Sequence, residues 1–134
     1  MTKMDPRAAR TPGAHRAQKG EHMFQLSEIN HLPGGPDYST AHGSCVEGDR
    51  MMIALMKMPA GTGAEPHSHP NEQWIFVLEG KMRMTVDGDV VEAGPGGAIY
   101  IPSNALHEAK SVGDLDAVFF TAKDTTHSLH GIKA

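Results

Sequence analysis

The stretch Glu65-Pro66-His67-Ser68-His69-Pro70-Asn71-Glu72-Gln73-Trp74, leading into Ile75-Phe76-Val77-Leu78-Glu79-Gly80, holds most of what this chain tells about itself. In an extended backbone alternate side chains share a face, so His67 and His69 project together and two imidazoles can reach one metal ion. Gln73 has the same odd parity. Glu72 has the opposite parity, so a regular strand aims it away from the histidines, although Pro70-Asn71 can reset the register. The Ile, Val and aromatic run closed by Gly80 marks residues 73–79 as a strand.

Working outward, Gly96 and then Ile101-Pro102-Ser103-Asn104-Ala105-Leu106-His107 place another histidine after a Pro-bounded turn that enters a strand. A third imidazole from an opposing strand would complete a pocket. The remaining apolar runs, at residues 51–58, 81–86, 90–93, 98–101, 107–110 and 115–121, are short and repeatedly broken by Gly, as strands are. Asp87-Gly88 reads as a two-residue hairpin turn, because both central positions need positive φ. In the strand before it Met82, Met84 and Val86 share one face and Lys81, Arg83 and Thr85 the other, so one face is core and one faces water. Residues 23–29 (Met-Phe-Gln-Leu-Ser-Glu-Ile) read as a further short strand before the loop His31-Leu32-Pro33-Gly34-Gly35-Pro36. No run of ten or more residues carries helical period and caps. The pattern predicts an all-β domain, a sandwich or a small closed barrel.

Composition bounds the function. With 134 residues, 39% hydrophobic and 21% charged, the chain makes one domain with a modest core. A net charge of -4 gives no general attraction to nucleic acid or to a membrane surface. The single Cys45 excludes an intramolecular disulfide and every paired-cysteine zinc motif, and with no membrane-length apolar run and no secretory signal it predicts a cytoplasmic protein. Residues 1–20 carry Lys3, Arg7, Arg10, Arg16 and Lys19 against Asp5 alone and little that is apolar. Residues 1–22 are therefore expected as a disordered basic arm preceding a single domain over 23–134, with a polar C-terminal tail. Nine His in so short a chain point to chemistry.

Together these segments resemble the two motifs of the cupin superfamily. The first, G-x5-H-x-H-x3-(E)-x6-G, matches at His67, His69 and Gly80, with Gln73 in the usual Glu position and Gly61 or Gly63 for the leading glycine. The second, G-x5-P-x-G-x2-H-x3-N, matches at Gly96, Pro102 and His107, with Asn104 in place of Gly and Ser111 in place of Asn. The resemblance spans about residues 51–121. It implies a double-stranded β-helix, the jelly-roll barrel, with one divalent transition metal (Zn, Mn, Ni or Fe) held in its mouth by His67, His69, Gln73 and His107, and it implies a homodimer.

The Glu-to-Gln departure changes charge with little change of size. Three neutral imidazoles and an amide leave the ion its full charge, which makes it a stronger Lewis acid and a poorer route to high oxidation states. That favours non-redox lyase, isomerase or cyclase chemistry on an enolisable or hydroxylated carbonyl substrate. The set is similar to that of cupins that linearise unsaturated uronates, of cupin hydroxynitrile lyases and of cupin aromatic polyketide cyclases. The alternatives are an Fe- or Mn-dependent dioxygenase, for which three histidines suffice, and a non-catalytic module that binds a small molecule or a metal. Candidate acid–base groups are Glu72, Tyr100 and His127, with Glu108 beside the second motif and His42 and His130 available on the edges. A histidine has the most suitable pKa for a general base. The period-2 methionines are expected as core filler that lines an apolar cavity, Trp74 and Phe76 as outer-sheet or dimer-interface residues, and Cys45 as an inert buried thiol.

Overall fold

The computed structural model describes residues 11–134. In chain order the elements are β1 (His15–Arg16), α1 (Leu26–Ile29), β2 (Leu32–Pro33), β3 (His42–Glu47), β4 (Met51–Met58), β5 (Gly63–Ser68), β6 (Gln73–Glu79), β7 (Met82–Val86), β8 (Asp89–Ala93), β9 (Ala98–Ile101), β10 (His107–Ser111), β11 (Ala117–Asp124) and β12 (Ile132–Lys133). They form two sheets, one ordered β1-β3-β4-β11-β6-β9 with β2 on β3, the other β12-β5-β10-β7-β8. All pairings are antiparallel except that of β1 with β3. The architecture is the jelly-roll barrel that the motifs imply.

The inward positions of both sheets meet in one core. Met52, Met56, Met58, Met82 and Met84 are its fillers, packed with Ile75, Val77, Ile99, Ile101 and Phe119. Thioethers with three rotatable bonds suit the uneven space inside a barrel whose sheets close on each other. The hairpin falls where expected: Asp87 has φ 48° and Gly88 φ 89°. Among the described residues no helix is long and apolar enough to cross a membrane.

Two expectations are corrected. Residues 23–29 do not form a strand; the chain makes a single helical turn there, α1, and Met23 is exposed. The edge that such a strand would occupy is already filled. Leu32 and Pro33 pair with Gly43 and His42, and the Asn30 side chain then takes the place of a strand residue, accepting from the Cys45 N–H (3.0 Å) and donating to the Cys45 carbonyl (3.1 Å). Beyond it His15 and Arg16 pair with Val46 and Glu47.

The expected basic arm over 1–22 is the second case. Residues 1–10 lie outside the described residues, but from Thr11 the chain is tied to the barrel. Thr11 is buried, its N–H donates to a Glu47 carboxylate oxygen (2.8 Å) and its hydroxyl accepts from the Leu129 N–H (2.6 Å). Main-chain pairing and polar contacts hold this segment, and a reading based on apolar content has no access to them.

Candidate metal centre

The first motif spans two elements and a turn. His67 is the penultimate residue of β5, His69 lies in the turn, and Gln73 opens β6 in the other sheet. His107 opens β10 and is the direct cross-strand partner of His67, so the opposing-strand imidazole arrives by register. Asn104, three residues earlier, has φ 64°, a left-handed conformation that Gly adopts freely and that Asn tolerates best among other residues. The substitution in the second motif therefore preserves the turn that delivers His107.

All four side chains are buried, and the imidazole ring centres lie 4.1 Å (His67–His107), 4.8 Å (His69–His107) and 6.2 Å (His67–His69) apart. Each ring has its Nδ1 against a backbone carbonyl: Glu65 for His67 (2.7 Å), Asn71 for His69 (2.9 Å) and Ala105 for His107 (2.8 Å). A carbonyl only accepts, so each Nδ1 carries the proton and each Nε2 keeps a lone pair. Burial is the main force holding all three rings neutral. It lowers His67 to about 4, helped by neighbouring His107, and His69 to about 3, helped by Lys123; His107 is lowered as well.

The Gln73 amide is oriented by a relay. Its NH2 donates to the Thr121 hydroxyl (2.8 Å), and that hydroxyl donates to the Trp74 carbonyl (2.9 Å). The amide oxygen is thereby turned to the His69 Nε2 at 2.9 Å. With His69 neutral and its proton on Nδ1, two lone-pair atoms face each other with no hydrogen between them. Neighbouring ligands at right angles on an ion, each about 2.1 Å from it, sit roughly 3 Å apart. The contact is thus the one a shared cation relieves, and the donor set fits a divalent ion. Among the described residues no three His, Cys, Asp or Glu side chains close on a point by themselves; the amide supplies the fourth donor that the histidines lack.

A cavity of about 60 Å³ adjoins these groups. Its apolar wall is Met56, Met58, Met82, Met84, Ile75 and Phe119, and its polar wall includes Tyr38, His67, Gln73, His107 and Thr121. The methionines therefore do line a cavity as well as fill the core.

Tyr38, Thr121, Asn71 and Lys123 have roles the sequence did not announce. Tyr38 stacks on His67 (centroids 4.1 Å, 24°), its hydroxyl accepts from the Gly131 N–H (2.6 Å), and burial raises its pKa. The signal was Gly35, where a Cβ would stand 2.2 Å from the Tyr38 ring. Asn71, fully buried, donates to the carbonyls of Asp124, His127 and Ser128 and so ties the turn bearing His69 to the C-terminal segment. Lys123, the β11 neighbour of Gln73, is buried and donates to the Leu129 carbonyl (2.6 Å); burial pulls its amine down to about 7.

The expected acid–base groups are placed elsewhere. Glu72 and Tyr100 are exposed and bonded to each other, Tyr100 donating to the carboxylate, on the side of β6 and β9 away from Gln73. His127 is half-buried with its carbonyl held by Asn71, and it does not line the cavity. Glu108 is exposed on β10, His42 packs against the His31 ring, and His130 donates to the Pro33 carbonyl.

Comparison with known proteins agrees with this geometry. Residues 54–123 match the family model described as a cupin domain, Cupin_2. Over 98 residues, 72% of this chain, it is 33% identical to mannose-1-phosphate guanylyltransferase of Escherichia coli, but it spans only 19% of that protein. It is 29% identical over 68 residues to the polyketide synthase CurC of Streptomyces cyaneus, covering 50% of this chain and 43% of that one. Among solved structures an RmlC-like cupin from Shewanella frigidimarina superposes with a TM-score of 0.67 at 17% identity, over 79% of this chain and 92% of the other. The match covers both histidine motifs and the strands that carry them, and the chain belongs to the Cupin_2 family of cupin domains.

Proposed function

We propose that this protein is a metal-dependent enzyme that acts without redox change on a small enolisable or hydroxylated carbonyl compound, as a lyase, isomerase or cyclase. The observation that carries this reading is the charge-neutral donor set, with the Gln73 oxygen fixed inward by Thr121. A divalent ion held by His67, His69, Gln73 and His107 would supply Lewis acidity that no carboxylate ligand diminishes.

The chain's own residues do the rest. Backbone carbonyls lock the three imidazoles in one tautomer, so they are ligands and not proton carriers. The methionine wall excludes water from the reacting group. A cavity of about 60 Å³ is less than half the roughly 150 Å³ that holds benzene, so it takes the short apolar arm of a substrate and leaves larger parts outside. Tyr38 lines this cavity as a phenol that is protonated at neutral pH, as an ordinary tyrosine is, and burial raises its pKa further. Its oxygen accepts from Gly131, which leaves its own proton available to a substrate oxygen. Similarity to a polyketide synthase component agrees with an enolic substrate.

The test is metal analysis of the purified protein alongside His107→Ala and Gln73→Ala, followed by anaerobic assays on unsaturated uronates, cyanohydrins and polyketide-like enols. One equivalent of zinc, nickel or manganese, lost in His107→Ala, with turnover in the absence of dioxygen is the expected result. Iron with strict dioxygen dependence would replace this reading by a dioxygenase, and no metal after reconstitution would withdraw it.

A further inference from the structure

The two sides of the barrel are edged unequally. At one end of each sheet the last strand is only two residues long, β1 in one and β12 in the other, and strands that short offer little edge to pair. At the opposite ends stand β8 and β9, five and four residues long, each paired with a single neighbour. Between them opens a groove of about 670 Å³ that shares no lining residue with the cavity at His67. Val86, Val91, Ala93, Ile99 and Pro102 form its apolar walls; Asp87, Asp89 and Glu92 also line it, and no Lys or Arg does. Val91 pairs with buried Met84 and shares its inward face, yet it is 40% exposed because the groove opens over it. The β8 edge is regular and unguarded. The tight turn at Asp87-Gly88 makes Val86–Asp89 the closing hydrogen-bonded pair, so Met84–Val91 and Met82–Ala93 are bonded as well, and Val90 and Glu92 turn their N–H and C=O groups away from β7. No bulge interrupts this register, and Asp-Val-Val-Glu-Ala holds none of the Lys or Pro that blunt an edge.

We infer that this edge takes up an extended basic peptide segment of another protein, which joins β8 as a further strand and lies in the groove. Charge selects such an occupant over a second copy of β8, which would bring another Asp89 and Glu92 and no cation to the same ladder. Arg83 already holds Glu92 (2.8 Å), whereas Asp87 and Asp89 have no ion-pair partner among the described residues. Alternate side chains of the added strand share a face, so a Lys or Arg beside Asp89 is followed at alternate positions by apolar side chains against Val91 and Ala93, with Ile99 on the facing wall. Main-chain bonds to Val90 and Glu92 supply the affinity, and this basic-then-apolar pattern supplies the choice of partner.

The probe is a labelled peptide, Thr-Lys-Thr-Val-Thr-Ile-Thr, titrated into the full chain by fluorescence anisotropy, with hydrogen exchange read at the backbone amides. Saturable binding at micromolar concentration is expected, with the Val90 and Glu92 amides protected only in the complex. Asp89→Lys should weaken binding about 3–10-fold, as should Glu in place of Lys in the peptide. Val90→Pro removes a donor that the β7 ladder does not use, so it should abolish binding and leave the far-ultraviolet spectrum unchanged. A wild-type chain that binds neither peptide up to millimolar concentration, or both equally, overturns the inference. So does a bound peptide that leaves the Val90 and Glu92 amides exchanging as before. Protection of these amides before any peptide is added overturns it too, because a segment of this same chain would then be the occupant. The wild-type outcomes decide even if Val90→Pro does not fold.

Discussion

Thr121 determines which end of the Gln73 amide faces the cavity, and two isosteric changes separate its role from that of the ligand. Thr121→Val removes the acceptor for the amide NH2 while keeping the shape, so metal affinity should fall about 10–100-fold in competition with a chelating dye, with the fold intact. Gln73→Glu should bind the ion more tightly yet turn substrate over more slowly, because a carboxylate reduces the charge that polarises the substrate; faster turnover would sink the Lewis-acid account. Cys45 is fully buried, and burial, reinforced by Glu47, pushes its thiol up to about 12. It should therefore ignore a disulfide reagent in the folded protein and react once in denaturant. His67, His69 and His107 were legible because motif spacing is written along the chain. Tyr38 and Thr121 were not, because their contacts come from stacking and from a ladder that joins residues 48 positions apart.

At the scale of elements, strands that alternate or carry β-branched and aromatic runs were readable, and those defined by their neighbours were not. Residues 51–58 and 73–79 were found to the residue. His42–Glu47 escaped because His-Gly-Ser-Cys-Val-Glu has no alternation: both its faces are buried from Ser44 on, with Ser44 and Val46 on one and Cys45 and Glu47 on the other. Gly63–Ser68 escaped because Pro66 interrupts it and its apolar content is small. Turns were the most legible feature, and Asn104 offers the clearest test of one. Asn104→Gly should leave stability within a few tenths of a kcal/mol in urea melts, whereas Asn104→Ala should cost about 1 kcal/mol, because alanine lacks the local hydrogen bonding that eases a left-handed backbone.

The whole molecule carries its buried titrating groups as a pH response. Metal-free protein keeps His67 and His69 neutral down to about 4 and about 3, whereas the unfolded chain protonates them near 6.5. The unfolded state thus binds more protons in that window, so stability falls as pH drops below about 6.5 and is unaffected by these groups above it. Lys123 acts in the same sense at higher pH: folded, it gives up its proton at about 7, unfolded at 10.5, so stability rises between those values. Thermal melts of chelator-treated protein should show both slopes, and Lys123→Met should flatten the upper one. The C-terminal segment has a consequence of another kind. Leu129 lines the cavity and donates to Thr11 across 118 positions, Gly131 donates to Tyr38, and β12 pairs with β5 beside His67. The last described residues therefore complete the wall of the cavity, and a chain cut before Leu129 would leave the imidazoles open to solvent on that side.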